Sequence, residues 1–155
     1  MSQKPSSASA ENTFQGASIL VVGGARFVGS NLVLKLLEKK PARITIVDNL
    51  LSSDITNVVA DPAVSFRFGS ITDDRILQAL PDDLDYVFHL SCYHGNQSSI
   101  ADPMADHENN TLTTLKLFER LKGSKTLKKV VYAAAGCAVA EKTFDDPTAT
   151  TEDAP

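Results

Sequence analysis

The chain has 155 residues, 43% hydrophobic and 22% charged, with a formal net charge of -4. That is one ordinary domain with enough apolar material for a buried core, not a disordered segment, and its scattered basic residues leave no electrostatic footprint for nucleic acid. No apolar run approaches the ~18 residues a membrane helix requires, and the amino terminus lacks the basic and apolar regions of a secretory signal, so no membrane association is expected and the cytoplasm is the expected location.

Residues 1–16 (MSQKPSSASAENTFQG) are polar, rich in Ser and Ala and without apolar period, and are expected to form a flexible leader. SILVV (18–22) is a short, almost continuous apolar run, the pattern of a strand buried on both faces of a parallel sheet. A helix follows, with Val28, Leu32, Leu36 and Leu37 at helical spacing, Lys39 and Lys40 at its negative end, and Pro41 as its stop. RITIVD (43–48) is a second strand, a short helix is expected within 54–60, and VSFRF (64–68) is a third strand. DDRILQAL (73–80) is helical and YVFHL (86–90) is a fourth strand. Residues 105–123 predict one long helix with Leu112, Leu115 and Leu121 inward and Gly123 at its end. KKVVYAAA (128–135) is a fifth strand, and the acidic, Thr- and Pro-rich tail over 141–155 is expected to be loop. Cys92 and Cys137 are too few for a disulfide framework and lack metal-ligand spacing, so they are expected to be reduced and to serve packing, and no metal site is expected.

Five strands alternating with helices predict an α/β doubly wound parallel sheet of order 3-2-1-4-5. Any ligand is expected above the carboxyl ends of strands 1 and 4, where the order reverses. Between the first strand and its helix lies VVGGARFVGSNLV (21–33). Gly23 permits a tight turn, the amides at the helix start point at a pyrophosphate, and Gly29 lets helix and strand approach. Alone, such a string also suits a purely structural corner. Asp48 ends the second strand 25 positions after Gly23 (48 minus 23). A carboxylate there accepts both ribose hydroxyls of an adenosine and repels a 2′-phosphate, favouring NAD over NADP; the plainer reading is that Asp48 and Asn49 begin a turn.

These motifs together resemble the amino-terminal part of the extended short-chain dehydrogenase/reductase family, the NAD-dependent sugar-nucleotide epimerases and dehydratases. GGARFVGSNLV is similar to the family's GGxGFxGxxL, IVDNL to its ribose-binding strand end and GSITD to its GDIxD. DYVFHLS resembles D-x-V-x-H-L-A, DPMADHENNTLTTLKLFE resembles DP…N-x-x-GT-x-x-L-x-E, and KKVVYAAAGCAVA resembles VVYxSSxxVYG. The matches run in order from about Ser18 to Ala140. The resemblance implies a Rossmann-type NAD-binding domain over 17–140, incomplete relative to the family. It implies that the Gly23 turn and the backbone of Phe27 and Val28 face the pyrophosphate, packed against Gly29. Asp48 and Asn49 would face the adenine ribose, Ser70 and Ile71 the adenine, and Leu90, Ser91 and Cys92 the nicotinamide side. Asn110 would fix the loop after the fourth strand. His89 is expected as a core histidine, while His94 lies where the family often has a polar residue facing cofactor or substrate.

Several positions depart from that pattern. Arg26 stands where the middle glycine lets the cofactor approach; a guanidinium there can instead pair with phosphate oxygens, and a subgroup of the family reads GGxRFxG. Ser70 replaces the Asp that accepts from the adenine amino group. Ala135 falls at the position of the catalytic Ser or Thr, which Cys137 could replace only if the register slipped. The family's base, a Tyr in Y-x-x-x-K, follows the fifth strand by some twenty or more residues, and no Tyr follows Tyr132 in these 155 residues. No residue is therefore assigned a catalytic role, and the chain alone is expected to be inactive. The expected function is the NAD-binding portion of a sugar-nucleotide epimerase or dehydratase, with a nucleotide-sugar substrate only in a complete enzyme. Such enzymes commonly dimerise through a helix bundle that includes the long helix. The alternatives are a non-catalytic dinucleotide-binding or interaction module and a decayed remnant.

Overall fold

A computed structural model of the protein describes residues 13–93 and 95–134. The strands are β1 (Ser18–Val22), β2 (Arg43–Asp48), β3 (Val64–Phe68), β4 (Tyr86–His89) and β5 (Lys129–Tyr132), all parallel in the order β3-β2-β1-β4-β5. This is the doubly wound topology that strand–helix alternation predicts. Central β1 is buried along its whole length, whereas edge strands β3 and β5 are only partly covered. Because strand side chains alternate between faces, β1 feeds two cores. Leu20 and Val22 pack with Leu77, Leu117 and Leu121 on one face, while Ile19 and Val21 pack with Val33 and Leu36 on the other.

Helix α1 (Phe27–Leu37) is rotated relative to its apolar spacing. Of the four apolar residues at helical spacing only Leu36 is buried, together with Gly29 and Val33; Val28 is 62% exposed, and Leu32 and Leu37 are only half-buried. Gly29 sets the rotation. A Cβ there would lie 2.2 Å from the Gly23 carbonyl oxygen and 2.7 Å from Gly24 Cα, so this face must lie flat on the preceding turn. Val33 and Leu36 follow it inward one and two turns on.

The helix expected over 105–123 is not one regular helix. Beyond a short 3₁₀ turn (Ile55–Asn57) and α2 (Asp74–Gln78), the chain forms an unanticipated α3 (Asn96–Ala101), then α4 (Pro103–Asp106), a π-helical segment (His107–Leu112) and α5 (Thr113–Leu121). A π turn widens the helix and shifts the stripe that follows. Thr113, Leu117 and Leu121 are therefore the buried positions, and the inward placement of Leu115 is corrected, since it is 62% exposed. Strand β5 ends at Tyr132 rather than continuing to 135, because its partner β4 ends opposite it at His89. Ala135, Cys137 and the tail over 141–155 lie outside the described residues, as does His94. Of the expected leader, residues 1–12 lie outside the description; residues 13–16 form a turn in which the Phe14 ring packs edge-on against Tyr86 at 4.9 Å.

Candidate functional site

The parallel register brings the ends of β1, β2 and β4 level, with Val22 opposite both Val47 and His89. The chain leaves β1 through Gly23, at φ +82°, where a Cβ would lie 2.8 Å from the Ser91 nitrogen. Glycine is required here for both conformation and approach. The turn is fastened from β2: Gly23 N–H donates to the Val47 carbonyl at 2.8 Å and Ala25 N–H to Asp48 Oδ2 at 3.0 Å. Asn57 adds a third tie, donating from Nδ2 to the Ala25 carbonyl at 3.0 Å. Arg26 precedes α1 in extended conformation, and no side chain caps the helix. The first-turn N–H groups of α1 thus remain available to an anion.

Asp48 is 7% exposed and accepts three hydrogen bonds. Besides Ala25, Leu50 N–H (2.9 Å) and Ser53 Oγ (2.8 Å) donate to its Oδ1. An ionised carboxylate offers about four acceptor sites, so one on Oδ2 is left for a ligand hydroxyl. Ser70 Oγ accepts from Thr72 N–H (3.2 Å) and Thr72 Oγ1 (2.9 Å), which keeps its own proton for donation, the opposite polarity to a carboxylate.

Across the cleft, Arg26 Nη1 donates to the Cys92 carbonyl at 3.0 Å and lies 3.4 Å from Cys92 Sγ. The guanidinium therefore bridges the Gly-rich turn and the loop after β4. Cys92 is a free, exposed thiol, which corrects the expectation that it serves packing. That loop is held by the π-helical segment: Asn110 Oδ1 accepts from Tyr93 N–H at 2.7 Å, and Asn110 Nδ2 donates to Asp106 at 2.8 Å. His89 is 1% exposed, and burial pushes its imidazole pKa down.

One cleft is lined by Gly23, Arg26, Asp48, Asn49, Ser70 and Ile71, and by Ser91 and Cys92 from the β4 side. The fold thus gathers at the switch point eight of the thirteen residues singled out in the sequence. The other five are not part of its lining. Phe27 and Val28 turn their side chains to solvent at 83% and 62% exposure; Gly29 packs on the turn, Leu90 packs with the Val33 core, and Asn110 holds the loop from behind. Asn109 and Thr113 line the cleft in addition, which the sequence did not suggest because nothing in it marks a π turn. Leu51, Ser52 and Tyr93 also line it, from loops next to the predicted positions. Among the described residues no group of His, Cys, Asp and Glu could hold a metal ion, and no helix is long and apolar enough to cross a membrane.

Comparison with known proteins gives this geometry a lineage. A rice (Oryza sativa subsp. japonica) UDP-glucose 4-epimerase 3 is 33% identical over 134 residues, which cover 77% of this chain and 35% of that protein. The crystal structure of the Bordetella bronchiseptica enzyme WbmF in complex with NAD+ superposes with a TM-score of 0.76 at 57% identity, over 91% of this chain and 41% of that one. The epimerase Mth375 of Methanothermobacter thermautotrophicus superposes with a TM-score of 0.82 at 33% identity, over 93% of this chain and 42% of that one. The chain spans about a third of the length of the curated relatives it matches. The sequence model of the NAD dependent epimerase/dehydratase family matches residues 19–155, and the chain belongs to that family.

Proposed function

We propose that this chain is the NAD-binding portion of a sugar-nucleotide epimerase or dehydratase. The observation that carries the proposal is the buried Asp48 carboxylate, tied through Ala25 to the Gly-rich turn and retaining one acceptor site beside it. The fit to a dinucleotide is physical. Gly23 leaves a space beside Ser91 that any Cβ would fill, uncapped N–H groups at the start of α1 suit a pyrophosphate, and Arg26 adds positive charge at the same turn. Asp48 would hold the adenine ribose and disfavour a 2′-phosphate, and Ser70 and Ile71 would border the adenine. The B. bronchiseptica enzyme is known with NAD+ and with NAD+ and UDP, which supports both the cofactor and a nucleotide-sugar substrate for the complete enzyme.

NAD, when bound, supplies a reversible hydride acceptor. The residues of this chain bind and orient it. The chain by itself is proposed to bind without turnover, because its 155 residues hold no Tyr-x-x-x-Lys base. A homodimer using α5, on which Leu115 and Phe118 are 62% and 42% exposed, and a cytoplasmic location belong to the same reading. The family match argues against a stand-alone interaction module. The test is a fluorescence titration with NADH and NADPH: saturable binding with NADH preferred, and a narrower preference in Asp48→Ala, is expected. Equal binding of both by the wild-type chain would overturn the role of Asp48.

A further inference from the structure

The imidazole of His89 has no part in the reading above, and Ser91 stands where the family's D-x-V-x-H-L-A run has Ala. The two are joined. Ser91 Oγ lies 3.3 Å from His89 Nδ1, and Thr114 Oγ1 lies 3.1 Å from Nε2. One short contact fixes the protons. Thr114 Oγ1 is 2.7 Å from the Asn110 carbonyl oxygen, which only accepts, so the single hydroxyl proton of Thr114 is committed there. Toward His89 the Thr114 oxygen can then only accept, and Nε2 must carry a proton. Burial keeps the ring neutral, so Nδ1 is bare and must receive the hydroxyl proton of Ser91. With that proton turned inward, the Ser91 oxygen has only lone pairs left for the cleft it lines.

We propose that Ser91 is a further positioning residue of this cleft: fixed as an acceptor by the Asn110–Thr114–His89 relay, it takes a hydroxyl or amide donor of the bound dinucleotide and turns away its phosphate oxygens. His89 acts through Ser91 and Thr114 acts through His89. The place suits the role, because the Ser91 nitrogen sits where the Gly23 turn comes closest to β4, so an acceptor here sets which part of the ligand lies beyond the pyrophosphate. A serine in this position thus adds polarity that the family's alanine cannot supply. The inference rests on the reading that the cleft binds a dinucleotide.

Two measurements test it on the 155-residue chain. Side-chain ¹⁵N NMR, with His94→Gln and His107→Gln used to assign the three histidines, reads the relay without ligand. The expected result is a neutral His89 protonated on Nε2, with that preference lost in Thr114→Val. NADH titration reads the acceptor. Ser91→Ala is expected to weaken binding roughly 3- to 10-fold, the effect of one lost hydrogen bond to the ligand, and to lower the melting temperature modestly, because the buried His89 Nδ1 loses its donor. Thr114→Val, outside the cleft lining, is expected to weaken binding in the same direction. An Nδ1-protonated or charged His89 would overturn the relay, and unchanged NADH affinity in Ser91→Ala would overturn the acceptor role. Absence of NADH binding by the wild-type chain is a separate result, which would overturn the dinucleotide reading and this inference with it.

Discussion

Replacing Asp48 with Ala removes three hydrogen bonds at once, from Ala25 N–H, Leu50 N–H and Ser53 Oγ, at a position 7% exposed. Two backbone donors lose their acceptor, each at roughly 1–3 kcal/mol, and water entering the opened cleft offsets part of that, leaving about 2–4 kcal/mol. For a chain of this length that corresponds to a fall in melting temperature of about 5–15 °C. Ser53→Ala removes only one of the three bonds and is expected to cost about 0.5–1.5 kcal/mol. Thermal unfolding followed by circular dichroism measures both. The reasoning links stability to site geometry, because the same carboxylate fastens the Gly-rich turn. If Asp48→Ala melts within about 2 °C of wild type, the three contacts do not hold the turn and Asp48 is no organiser of the cleft.

The other predictions concern how the fold delivers that cleft. Gly29→Ala places a Cβ 2.2 Å from the Gly23 carbonyl oxygen, so α1 must move away; calorimetry is expected to show a loss of several kcal/mol, on the order of severe overpacking, together with weaker NADH binding, and a variant as stable as wild type would contradict the close packing. Leu117→Ala is expected to cost about 2–5 kcal/mol in denaturant unfolding while Leu115→Ser stays within about 0.5 kcal/mol, and the reverse order would refute the stripe shift at the π-helical segment. The Asp85 carboxyl is held below its ordinary value, first by its hydrogen bond with Lys128 and then by the Ser18 N–H. A carboxyl with a depressed folded pKa contributes stability above its unfolded pKa and loses it as pH falls through the folded one. Asp85→Asn is therefore expected to flatten the loss of stability below about pH 4 in acid titrations, and an unchanged acid limb would contradict the pairing.

The topology was legible because each strand is a short apolar run bounded by turn residues, and alternation with helices leaves few ways to pair them. Gly23 and Asp48 were legible for a related reason: their conformational and chemical demands are local to a strand end. What escaped was rotation. Val28 and Leu32 fit a helical period as well as Val33 does, and only the contact of Gly29 with the turn behind it decides which face goes in. The π-helical segment had the same effect on Leu115, since no residue type marks where a helix takes an extra residue into one turn. Cys92 looked like a packing residue by composition, and its exposure follows from the loop geometry that Asn110 and Arg26 impose. Nor could spacing reveal that most of the acceptor capacity of Asp48 is used inside the protein.

Backbone NMR of the ¹⁵N-labelled chain titrated with NAD tests the central claim most directly. The account predicts saturable shifts clustered at Gly23, at the first turn of α1 from Phe27 to Gly29, at Asp48 and at Ser91, around the carboxyl ends of β1, β2 and β4. Shifts confined to the opposite end of the sheet, around Arg43, Asp83 and Asp85, or no shifts at millimolar NAD, would contradict it.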